Sequence, residues 1–170
     1  MVSQRKIEFK PYNVTLKFVT PLKAPLLSPL KFTRRRQITS ILECYKRLGV
    51  DESDLEKISH LDMAFDRTSE CTVFIPTTRL SAAMRDALSD KTIIVKGFIE
   101  IPQDKILIDA SSVTLPDGSH TVSLYEYVPE GTQITEPLNI HSSIDLPKTF
   151  TIRMGRSKDK GFGVVEVTLE

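Results

Sequence analysis

The residues best suited to chemistry crowd the end of the chain, where Met154–Val167 reads MGRSKDKGFGVVEV. Three of the seven glycines, Gly155, Gly161 and Gly163, stand here among Arg153, Arg156, Ser157, Lys158 and Lys160, with Asp159 interposed. Glycine lets a backbone approach a phosphate closely, and successive N–H groups with basic side chains can hold it. The competing reading is a β-hairpin with a solvated basic tip, and the pattern alone leaves both open. A Walker loop is excluded, because no G-x-x-x-x-G-K-[ST] precedes a helix.

A second basic group, Lys31, Arg34, Arg35 and Arg36, suits a phosphate backbone equally well. A solvated helix start is the plainer alternative, although cations at a helix N-terminus oppose the macrodipole. Candidates for catalysis are few. His60, Asp62 and Asp66 in HLDMAFDRT place one imidazole near two carboxylates. His120 and His141 have no partner in sequence, and no G-x-S-x-G or H-E-x-x-H motif occurs. No metal-ligand set stands out and no cofactor is expected, a divalent ion entering only if the chain is a nuclease.

The elements that must position these groups follow from periodicity. Val14, Leu16 and Phe18 alternate with polar neighbours as a half-buried strand, which Ile7 and Phe9 would extend backwards across Pro11. Pro21, Pro25 and Pro29 force an extended excursion carrying Leu22, Leu26, Leu27 and Leu30. A helix then takes Ile38, Ile41, Leu42, Tyr45 and Leu48 on one face and stops at Gly49. The acidic stretch from Asp51 to Glu56 starts a second short helix. Residues 72–76 form a short strand, followed by a helix capped by Thr77 or Thr78 that runs to Leu88 and buries Leu80, Ala83, Met84, Ala87 and Leu88. Residues 92–101 read as the strongest strand, 105–109 as another, and 121–128 as its return after the turn at 116–118. Residues 129–147 look irregular, and TFTIRM and GVVEV close the chain as two strands. The order specifies an α+β fold with a mostly antiparallel sheet.

With 170 residues, 40% of them hydrophobic and 26% charged, the chain suits one globular domain, residues 1–170, with an insertion over about 21–70. A net charge of +1 gives nucleic-acid binding no global support, so it must rest on local patches. No run approaches the roughly 18 apolar residues of a membrane span, and the first residues lack a leader's apolar core. Cys44 and Cys71 have no evident partners and are expected to be reduced, in a cytoplasmic protein.

Three segments resemble one family. Phe74–Arg85, FIPTTRLSAAMR, resembles the "IPGSSLKGALR" strand-to-helix motif of the RAMP superfamily of CRISPR effector proteins. Tyr127–Ile134, YVPEGTQI, resembles its "VPAGTEF" segment, and Gly155–Glu166 its G-x-x-x-x-GFG-x-V loop. KGFGVVEV is also similar to the RNA-recognition-motif signature, with Val164 and Val167 in place of two aromatics and no helix and strand following it. The RAMP resemblance implies a modified ferredoxin-like core, related to RNA-recognition motifs, with helices on one face and an insertion after the first strand. It implies binding of guide RNA through Arg156, Ser157, Lys158, Lys160, Gly161 and Gly163, while base pairing reads the target. Lys31–Arg36 and the helix after them would contact RNA or a neighbouring subunit. Thr77, Thr78, Arg79, Ser81 and Arg85 would lie at the strand-to-helix junction, where a helix N-terminus can receive a phosphate. Thr77 and Thr78 replace the family's Gly-Ser, and the helix expected before the glycine-rich loop is missing.

Three functions remain in view. The first is a non-catalytic RNA-binding subunit of a CRISPR ribonucleoprotein in antiviral defence, partnered by guide RNA, its target and other effector subunits, and stacking on itself along the RNA. The second, again implied by the resemblance, is an endoribonuclease using Asp62 or Asp66 with a divalent ion, or His60 as general base. The third is a capping subunit with little RNA contact, docking a partner through the leucine- and proline-rich segment 21–30.

Overall fold

A computed structural model describes residues 7–155 and 161–170. Strand β1 (Lys10–Phe18) is central to a five-stranded antiparallel sheet with β10 (Gln133–His141) on one side and β12 (Val164–Leu169) on the other. β6 (Ile94–Gly97) lies beyond β10, and β11 (Thr149–Arg153) beyond β12. β1 and β6 both run antiparallel to the β10 between them, so they are parallel to each other. Helix α3 (Thr77–Leu88) comes between them in the chain and packs against β6 and β11. The alternation read from β1 holds: Val14, Leu16 and Phe18 are buried with Leu80 and Met84 of α3 and with Ile134, Leu138, Val165 and Val167. The opposite face is polar, with Thr15 and Thr135 joined by their hydroxyls at 2.9 Å.

Prolines sit where the ladder can spare a donor. Pro11 precedes Val14, the first β1 residue paired with β12, and Pro137 lies one residue past the Leu138–Gly97 end of the β6 pairing. This is how 133–141, expected to be irregular, holds a strand despite its proline. The expected strand over 92–101 is instead two: β6 joins β10, and β7 (Ile99–Ile101) pairs with β5 (Val73–Ile75) in a three-stranded sheet completed by β4 (Asp66–Arg67). Gly97 makes the break. Its φ is +136°, and a Cβ there would stand 2.6 Å from Leu138 Cδ2.

The inserted segment brings β2 (Leu22–Lys23), helix α1 (Lys31–Arg47), α2 (Glu52–Ile58) and β3 (Leu61–Met63). α1 begins at Lys31, about two turns before Ile38 opens its apolar face. Asp51 caps α2, its carboxylate accepting from Asp54 N at 3.2 Å. β8 (Leu107–Thr114) forms a hairpin with β9 (His120–Val128), and β2 and β3 pair one after the other along the opposite edge of β9. α1 and α2 have a small core of their own, in which Leu27, Ile41, Tyr45, Ile58, Leu61 and Ala64 meet. Two expectations for α3 are corrected. Pro76, not a threonine, occupies its N-cap with no side-chain capping bond, and Ala87 is exposed.

The expectation of reduced cysteines is overturned: Cys44 and Cys71 form a disulfide across 27 residues. The end of α1 lies against the turn between β4 and β5, a contact of the tertiary structure that cysteine spacing does not announce.

Candidate functional site

The two basic helix starts, distant in sequence, meet at one cleft. Arg34 and Arg36 are two residues apart, and at about 100° per helical residue they point roughly 200° apart. Arg34 turns inward: its Nη2 donates to Leu61 O at 3.0 Å and to Asp62 Oδ1 at 2.8 Å. Asp62 Oδ2 also accepts from Leu124 N at 3.3 Å, so Arg34 and Asp62 join α1 to β3 and β9. Arg36 lines a cleft of about 380 Å³ between α1 and β4, with Gln37 and Ser40 beside it and Arg67, Asp66 and Arg79 across from it. Its guanidinium also stands 5.6 Å from the Phe32 ring. Arg79, in the first turn of α3, is 3.8 Å from Asp66, a loose pair between half-exposed groups.

The wall formed by Arg67 is held by a buried carboxylate. Glu126 of β9 is fully buried and accepts from Phe65 N and Arg67 Nη1, both at 2.9 Å, from Arg67 Nη2 at 2.5 Å, and from the Tyr45 hydroxyl. Burial first, and the Glu126 charge second, push the Tyr45 pKa well above its ordinary value. Burial pulls down the pKa of Arg67, but the hydrogen bonds and charge of Glu126 outweigh it and the net shift is upward. Arg67 Nε is buried without a hydrogen-bond partner among the described residues. Sequence reasoning passed over Arg67 and Glu126 and read Tyr45 only as part of the apolar face of α1. A signal existed: Glu126 shares a strand face with Leu124 and Val128, and a carboxylate between two such residues needs a buried cation.

The glycine-rich segment begins next to this cleft. Arg79 also lines a small crevice with Leu22, Pro25, Met154 and Gly155. Gly155 and Gly163 serve packing: a Cβ on Gly163 would stand 1.8 Å from Met154 O, and one on Gly155 2.8 Å from Lys23 O. Gly161 has φ +88°, and beyond its chain neighbours no atom of the described residues lies within 4 Å of a Cβ placed there. Lys23 Nζ lies 4.1 Å from the Tyr125 ring and 4.8 Å from that of Phe162. Arg156, Ser157, Lys158 and Lys160 lie outside the described residues.

Of the remaining candidates, Lys31, Arg35 and Thr78 are exposed along the two helices, and Arg153 is exposed on β11. Ser81 is buried and pins α3 to β6, donating to Thr77 O and accepting from Val95 N, both at 2.9 Å. Arg85 Nε donates to Ile93 O at 2.7 Å, which ties it to the same junction. His60 is exposed just before β3, and Asp62 is engaged by Arg34. Among the described residues no three His, Cys, Asp or Glu side chains are grouped to hold a metal, and no helix is long and apolar enough to cross a membrane.

Compared with models of known protein families and with curated proteins, the chain matches none of them. What the geometry defines is an α+β protein with an arginine-lined cleft beside the start of a glycine-rich loop. Three guanidinium groups line that cleft against the one carboxylate of Asp66, and Glu126 offsets Arg67 from behind. The excess favours an anion.

Proposed function

We propose that this chain is an RNA-binding subunit of a CRISPR ribonucleoprotein, of the RAMP type, holding guide RNA by its backbone. The observation that carries the reading is the meeting of Arg36 and Arg79 at one cleft, Arg79 also lining a small crevice with Gly155. They come from two segments that the sequence marks separately, the basic helix start and the FIPTTRL junction. The strand order β12-β1-β10-β6, with α3 between β1 and β6, supports a ferredoxin-like core in which β11 stands where a second helix is usual. VPEGT in YVPEGTQI lies at the turn from β9 into β10, which supports its likeness to a strand entry, while the glycine-rich segment follows strand β11 rather than the helix the family has there. The sheet's polar face carries Thr15 and Thr135, with Lys17, Glu166 and Thr151 on the same side. RNA held at the cleft would be gripped by charge rather than by stacking on the sheet.

The test is the affinity for single-stranded RNA of Arg36→Glu/Arg79→Glu against the unaltered chain, measured across salt concentrations. Loss of two phosphate contacts lowers the slope of log K against log salt by about 1.4. Equal affinity and slope for the two proteins would remove the cleft from RNA binding.

A further inference from the structure

We infer that the cleft between α1 and β4 is a site for one nucleoside monophosphate unit, either a free mononucleotide or a single residue of a bound RNA. The second source rests on the function proposed above. The first does not. Two properties of the cavity carry the inference. Its volume, about 380 Å³, is at the scale of small-ligand sites, generous for a bare phosphate and suited to a base with its sugar. Its lining is mixed: Leu27, Ile41 and Phe65 contribute apolar atoms for a base, and Arg36 of α1 and Arg79 of α3 contribute guanidinium groups for a phosphate.

A third observation comes from Arg67. Its side chain is 4% exposed, it lines the same cavity, and its Nε lacks a partner among the described residues. Glu126 fixes that guanidinium by two bonds, so the cationic wall is rigid before any ligand arrives. Among the described residues Arg36 has no ion pair, and its guanidinium lies against the Phe32 ring. Asp66 is the group a phosphate must displace from Arg79, and at 3.8 Å it holds Arg79 weakly.

The experiment titrates the full chain with adenosine monophosphate, uridine monophosphate and inorganic phosphate while amide NMR shifts are followed. The nucleotides are expected to shift Ser40, Ile41, Ala64 and Phe65, with inorganic phosphate about tenfold weaker at the same positions. Ser40→Phe fills the cavity from an exposed helix position, leaves every guanidinium in place, and is expected to weaken nucleotide binding about tenfold or more. Arg36→Gln, at an exposed position, is a second variant with the same expected direction. Phosphate binding as tightly as the nucleotides, shifts confined to other residues, or no effect of either variant would overturn the inference. A short oligouridylate distinguishes the sources: if it shifts the same amides and displaces the mononucleotide, the occupant is an RNA residue, and if it does not, a free nucleotide. Mononucleotide binding in a protein that binds no RNA would leave this site standing and remove the proposed function. RNA binding with these amides unmoved would do the reverse.

Discussion

Glu126→Gln removes one negative charge from behind the Arg67 wall of the cleft and changes almost nothing in shape. The charge it leaves behind is Arg67, whose side chain is 4% exposed, and whose two guanidinium bonds to Glu126 are 2.9 and 2.5 Å long. Breaking a buried pair from one side costs about 3–5 kcal/mol, because the remaining ion is neither solvated nor paired. With a urea m-value of about 2 kcal/mol/M, a loss of 4 kcal/mol moves the unfolding midpoint down by about 2 M. Arg67→Met should cost a similar amount, since it leaves Glu126 with only the Tyr45 hydroxyl and Phe65 N–H as donors. The decisive protein is the double variant Glu126→Leu/Arg67→Met. It carries no buried charge at this point, only two orphaned donors at about 1–3 kcal/mol each, so it should unfold near either single variant rather than at their sum. Urea denaturation of the unaltered chain, Glu126→Leu, Arg67→Met and their combination, monitored by far-ultraviolet circular dichroism without reductant, gives the cycle, with Glu126→Gln beside it as the charge-only change. Additive losses, or a Glu126→Gln cost below about 1 kcal/mol, would refute the claim that this pair is a desolvated, mutually dependent unit.

Other consequences follow from the same geometry. Cys44→Ser, which opens a loop of 27 residues, should lower stability by about 3.5 kcal/mol on the chain-entropy relation, and reductant should lower the Tm of the unaltered chain but not of the variant. Gly163→Ala places a methyl 1.8 Å from Met154 O and should disrupt the closure of β11 on β12, whereas Gly161→Ala meets no atom of the described residues and should cost only about 1 kcal/mol from its positive φ. Thermal melts of the two alanine variants, side by side, separate steric from conformational cost. The Tyr45 pKa is raised on folding, so the stability it contributes is complete below its unfolded value of about 10 and falls as pH rises past it. Tyr45→Phe should therefore flatten the alkaline limb of a stability–pH curve. Asp90 behaves oppositely: hydrogen bonds first from Thr92 and then from Ser143 lower its pKa. Its contribution is present above about pH 4 and is lost as pH falls further, so Asp90→Asn should flatten the acid limb.

Much of the scaffold could be read from local pattern, because β1, α2 and α3 are amphipathic or capped in ways that involve only near neighbours. What stayed hidden depends on tertiary placement. Residues 133–141 carry a proline, and only the end of β6 at Gly97 explains why the strand tolerates it. The run 92–101 looks continuous until Gly97 and Phe98 are seen to switch it between sheets, although a glycine within an apolar strand is itself a known warning. At the site, the basic segments were legible but the division of labour inside them was not. Arg34 and Arg36 have the same chemistry, and their different fates follow from which side of α1 meets Asp62. The glycine-rich loop shows the converse: its glycines were read for phosphate approach, while Gly155 and Gly163 answer to Lys23 O and Met154 O. Pairing of Cys44 with Cys71 left no sequence trace.

The central claim, that this chain holds guide RNA, is tested most directly by sequencing whatever RNA copurifies with the tagged protein from its native host. The account predicts a discrete pool in which repeat-derived ends are joined to varied spacers. It also predicts that Arg36→Glu/Arg79→Glu loses that pool while remaining folded. No RNA, or bulk cellular RNA without that structure, would contradict it.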